Sequence, residues 1–79
     1  MMLQLVDILE ELTGVDAVRE NPDLQLFEND LLDSFGVVQL IVEIESRLGI
    51  AVPVSLFDRE TWGTPAAIAA RLEEIQEEG

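Results

Sequence analysis

Asp33 and Ser34 are the residues whose types and position say most about chemistry, because they stand where an irregular, leucine-rich stretch gives way to a helix. A serine hydroxyl at such a boundary is expected to be exposed. It lies over the positive end of the helix dipole, where a phosphate group is stabilised. The chain has no cysteine and no histidine, so it carries little nucleophilic or acid–base equipment of its own. Ser34 therefore reads as an attachment point for a phosphate-linked cofactor, with the protein as its carrier. A plainer reading stands beside it: serine and aspartate are common helix caps, and most such pairs ahead of an apolar helix do nothing else.

The elements that must position this pair follow from apolar spacing. Met2, Leu5, Leu9 and Leu12 recur at helical steps with Gln4, Asp7, Glu10 and Glu11 opposite, and Gly14 supplies a left-handed stop. A second helix runs from about Ser34 to Leu48, burying Val37, Leu40, Ile41, Ile44 and Leu48 and ending at Gly49-Ile50. A third starts at Thr64-Pro65, a capping threonine followed by proline at the first helical position. It is expected to bury Ile68, Leu72 and Ile75 and to expose Glu73, Glu74, Glu77 and Glu78.

The connections are unequal. Val15 to Asp33 is a long link, with one helical turn around Asp16–Glu20 before Asn21-Pro22 breaks it. Links of this length in a small domain are usually functional or disordered, and Leu24, Leu26, Phe27, Leu31 and Leu32 argue for anchoring. Ala51-Val52-Pro53 reads as extended chain, then Ser55 is expected to cap a short turn, Ser55–Asp58, with Phe57 inward. Trp62 reads as a packing element rather than a ligand-binding one. The expected fold is all-α: a single domain over residues 1–79, with three principal helices, one short helix and a long first loop.

The second helix has more apolar residues than its core face requires. Phe35, Val38 and Val42 fall on an adjoining stripe that begins beside Ser34. Either the stripe is a docking surface, or the long loop covers it with Leu31 or Leu32.

Composition narrows the function further. Without cysteine or histidine, the chain has no disulfide framework or thiolate metal site and loses most zinc chemistry. Four arginines, no lysine and seventeen acids leave a formal charge of −13, which repels nucleic acid and anionic lipid. The acid suits partners with basic patches, or serves solubility alone. Met1 to Thr13 lacks the basic start and cleavage site of a signal peptide, and the apolar runs are too short to span a bilayer, so a cytoplasmic location is expected; nothing in the sequence requires more than a monomer.

Leu31-Leu32-Asp33-Ser34-Phe35-Gly36, followed by Val38-Gln39-Leu40, resembles the modification site of the acyl carrier proteins. Glu43-Ile44-Glu45, Gly49-Ile50 and above all Phe57-Asp58-Arg59-Glu60-Thr61-Trp62-Gly63-Thr64-Pro65 resemble one branch, the D-alanyl carrier proteins of Gram-positive cell-wall modification. The resemblance implies an acyl-carrier-like bundle and 4'-phosphopantetheine attached covalently to Ser34 by a phosphopantetheinyl transferase using coenzyme A. It also implies that a D-alanine–carrier ligase loads the arm's thiol through an adenylate, giving a thioester. A membrane O-acyltransferase system at the inner face of the cell membrane then passes the alanyl group towards lipoteichoic acid. Such a protein is a tether and not an enzyme.

Within that resemblance Asp33 caps the helix and helps the transferase recognise its target. Fatty-acid carriers commonly place acids shortly after the serine, whereas this chain has Gly36 and Gln39. Partner docking is accordingly expected on Phe35, Val38, Gln39 and Val42 more than on Glu43 or Glu45. Two rivals remain at this level: an acyl or peptidyl carrier of another pathway, and an acidic helical inhibitor or adaptor that leaves Ser34 free. A calcium loop is set aside, because Asn29-Asp30 and Asp33 lack the alternating ligands and central glycine of an EF-hand.

Overall fold

A computed structural model describes residues 2–58 and 60–78, with side chains through residue 77. The described elements are α1 (Met2–Thr13), α2 (Ala17–Glu20), α3 (Ser34–Leu48), a 3₁₀ turn (Val54–Leu56) and α4 (Pro65–Glu78). No strand occurs among the described residues, so the fold is all-helical. None of these helices is long and apolar enough to cross a membrane.

α1 lies at the centre, packed against α2, α3 and α4. That surround shifts its buried face. Leu5, Val6, Ile8 and Leu9 are buried, Leu12 is partly so, and Met2 is exposed, contrary to the expected Met2–Leu12 stripe. A helix with neighbours on several sides buries more than one stripe, and its first turn projects past them. α3 buries Leu40, Ile41 and Ile44, with Val37 and Leu48 partly covered, as the spacing predicts. α4 adds Ile68 and Leu72, with Ile75 at the margin. The expected exposure of Glu78 lies outside the described side chains.

Local chemistry sets the helix ends. Gly14 and Gly49 both take left-handed backbone, at φ 75° and 70°, and their N–H groups bond the Glu10 and Glu45 carbonyls. At α4 each early donor is accounted for. Pro65 has none, Ala66 N–H donates to the Pro22 carbonyl at 2.9 Å, and Ala67 N–H donates to Thr64 Oγ1 at 3.1 Å.

The short turn after α3 departs from expectation. It spans Val54–Leu56 with Pro53 at its cap position and no side-chain capping bond, and Ser55 lies inside it, exposed. Pro53 presets the backbone at φ −63°, and its carbonyl takes the Leu56 N–H, so the turn closes without a serine.

Arginines tie the helices together at the surface. Arg19 reaches from α2 to Asp7 and Glu10 of α1, while Arg47 of α3 holds Glu11 of α1 and its own neighbour Glu43. Hydrogen bonding from Arg47 holds the Glu11 carboxyl below its ordinary value of 4.5. Arg71 pairs with Glu74 one turn along α4.

Candidate functional site

The site begins with a backbone break. Asp33 is extended, at φ −127° and ψ −173°, and its carboxylate Oδ1 accepts the Gly36 N–H at 2.7 Å. Its own carbonyl accepts the Val37 N–H, which starts the helical ladder. Ser34 is the first residue of α3 and is exposed. The first turn carries no acid, and among the described residues no protein acceptor meets the Ser34 and Phe35 N–H groups. That end of α3 therefore leaves two N–H donors open beside the Asp33 carboxylate that caps the next one, whereas the start of α4 satisfies its donors internally.

The loop before Ser34 is ordered by one peptide unit. Leu26 is fully buried, its N–H donates to the Gly63 carbonyl at 2.8 Å, and its carbonyl accepts from Leu31 at 2.8 Å and Leu32 at 3.1 Å. Asp30 takes a left-handed φ of 57° to close that tight return. Leu32 is then buried beside Gly36: a Cβ built there would stand 3.2 Å from Leu32 Cδ2 and 3.3 Å from Asp33 Oδ1. The absence of a side chain at Gly36 thus leaves room for both the cap and the loop.

The stripe beside Ser34 is open. Phe35 is 71% exposed, Val42 57% and Val38 47%, and Gln39 is exposed with them. Leu32 turns into the core and Leu31 packs against it, so these two side chains do not cover the stripe.

Sequence reasoning missed three contributors. Phe27, Val54 and Phe57 join Ser34, Val37 and Val38 around an open, largely apolar groove of about 260 Å³. Phe57 meets Phe27 edge-on at 6.1 Å and lies against Trp62 at 4.9 Å, so the groove wall is backed by a nearly buried indole. Trp62 packs as expected. The signal available for Val54 was composition: a three-residue turn cannot bury both Val54 and Leu56, and they are 61% and 52% exposed.

Comparison with known proteins bears directly on this arrangement. Residues 4–72 match the family described as Phosphopantetheine attachment site. A D-alanyl carrier protein of Enterococcus faecalis is 58% identical over 72 residues, 91% of this chain and 92% of its own length. D-alanyl carrier proteins of Bacillus velezensis and Lacticaseibacillus rhamnosus are 51% and 53% identical, covering 92% and 91% of this chain and 94% and 89% of theirs. The chain belongs to the D-alanyl carrier protein family. A carrier of this kind presents a group to the active sites of other proteins and is not itself a catalyst. Asp33, Ser34 and the Phe57–Pro65 segment all fall within the matched span. Arg59 of that segment lies outside the described residues.

The residues present fit a phosphodiester-linked arm. Ser34 is exposed, unmet N–H donors stand at the helix end behind it, and the adjacent Asp33 carboxylate is hydrogen-bonded to the Gly36 N–H.

Proposed function

We propose that Ser34 is where this carrier bears 4'-phosphopantetheine, and that its cargo is D-alanine destined for lipoteichoic acid. When attached, the arm supplies the thiol that this cysteine-free chain lacks and on which D-alanine is held as a thioester. The observation that carries the reading is the exposed hydroxyl at the first position of α3, with donors unmet beside it and a fixed loop before it.

The remaining roles fall to the protein's own side chains. Asp33 holds the helix end together, and its position next to Ser34 makes it a recognition element for a phosphopantetheinyl transferase. Phe35, Val38, Gln39 and Val42 form the face that a D-alanine–carrier ligase and a membrane O-acyltransferase system engage. Burying Phe35 and Val42 against a partner is favourable by about 25 cal/mol per Å² of apolar surface, so they outrank neighbouring acids that lose hydration on contact. The carrier works in the cytoplasm, meeting the inner face of the membrane through its membrane partner.

The test is incubation with coenzyme A and a promiscuous phosphopantetheinyl transferase, followed by intact-mass measurement. Wild type gains one phosphopantetheine and Ser34→Ala gains none. Modification of both, or of neither, overturns the assignment. Supplying D-alanine, ATP and the ligase then adds one alanyl mass to the modified protein only.

A further inference from the structure

We propose that Trp62 is a positioning residue for Ser34, acting through the Gly63 carbonyl and the Leu26 peptide unit. The inference rests on the reading of Ser34 as the modified residue.

The path is a sequence of short contacts. Trp62 is 3% exposed, its backbone N–H donates to the Asp58 carbonyl at 2.7 Å, and its ring lies against Phe57. The next residue, Gly63, is buried and offers its carbonyl to the Leu26 N–H at 2.8 Å. Leu26 in turn accepts the Leu31 and Leu32 N–H groups, and Leu32 packs where a Gly36 side chain would stand, next to the Asp33 cap. One residue on, the chain reaches Ser34.

Without this tie, residues 27–33 would be joined to the body through the buried Leu32, the partly buried Phe27 and Leu31, and the Asp33 bonds to α3 at their far end. The loop could then drift and carry the cap with it. Backbone bonds fix direction as well as distance, whereas apolar contacts alone do not. An Å-scale displacement of a reacting hydroxyl lowers a transfer rate without altering how the partner is first bound. The Phe57–Pro65 segment therefore acts on the serine from inside the carrier.

The experiment uses Trp62→Ala and the conservative Trp62→Phe in the full chain. It reads two quantities: the steady-state rate of phosphopantetheine transfer to Ser34, and amide exchange residue by residue. For Trp62→Ala, at a temperature where circular dichroism shows it folded, kcat should fall about tenfold with KM changed less than about twofold. Protection of the Leu31, Leu32 and Gly36 amides should fall by about five- to tenfold, roughly the worth of one buried hydrogen bond, while the Leu9 amide of α1 keeps its protection. Trp62→Phe should recover most of both.

Unchanged kcat, or a loss of protection spread evenly over α1 and α3, would overturn the proposal. If Trp62→Ala does not fold, Trp62→Phe carries the same comparison, with a smaller loss confined to the same amides expected and its absence decisive against. Wild type that takes no phosphopantetheine would overturn the Ser34 reading instead, and the exchange pattern would still decide whether Trp62 orders the loop.

Discussion

Asp33 and Gly36 face each other across the first turn of α3, carboxylate to N–H at 2.7 Å, and a Cβ at Gly36 would crowd both Leu32 and that carboxylate. The acid next to Ser34 is thereby held by the helix it starts. This chain has Gly36 and Gln39 rather than acids shortly after the serine, and the exposed apolar residues there are Phe35 and Val38.

Replacing the cap should separate its two roles. Asp33→Ala is expected to lower stability by about 1 kcal/mol, and Asp33→Asn by less, since an amide oxygen still accepts the Gly36 N–H. Thermal melts check the stability. If Asp33→Asn matches wild type in the melt but raises KM for the transferase, the charge itself is read by the enzyme. Equal KM would leave only the cap.

On the outer stripe, stability and recognition should part company. Val42→Asp and Phe35→Ala are expected to shift stability by no more than about 0.5 kcal/mol, because both side chains are exposed. Loading by the ligase should nonetheless fall about tenfold in kcat/KM, as for loss of a central apolar contact. Glu43→Lys should have less effect on loading, although it breaks the pair with Arg47. Undiminished loading of Val42→Asp with loss in Glu43→Lys would reverse the ranking.

Acid should weaken the clamp between α1 and α3 within a defined window. Hydrogen bonding to Arg47 depresses the folded-state value of Glu11 below 4.5, its ordinary value. Stabilisation from such a group is fully present above the unfolded-state value and disappears as pH falls through the folded one. The difference in melting temperature between wild type and Glu11→Gln should hold constant from neutrality down to 4.5 and shrink below it. A difference that stays flat to lower pH would show that the pair contributes nothing.

Salt should stabilise. Arg19, Arg47 and Arg71 are each already paired, and the remaining excess of carboxylates repels itself across a small surface. Raising ionic strength from about 10 mM to 150 mM shortens the screening length from about 30 Å to 8 Å, which is below the size of the molecule. The melting temperature is expected to rise over that range. No rise would mean the charges are too dispersed to matter.

Much of this was legible in residue spacing because it depended on local rules. The start of α3 at Asp33-Ser34, its glycine stop, the Thr64-Pro65 start of α4 and the outward stripe of Phe35, Val38 and Val42 all follow from period and capping chemistry. What escaped depended on neighbours. Single-stripe spacing puts Met2 inside and does not select Val6 and Ile8, because sequence does not reveal that α1 is packed from several sides. Serine favours cap positions, but Pro53 sets this turn ahead of Ser55. The groove at Ser34 joins Phe27, Val54 and Phe57 from separate stretches of chain, and no periodicity links them.

One helix here wears two unrelated coats. Leu40, Ile41 and Ile44 hold α3 to the body, while Phe35 and Val42 are left exposed and Val38 lines the open groove. Natural variation or a protein engineer can repaint the outer coat for a new clientele while the inner one keeps the architecture standing.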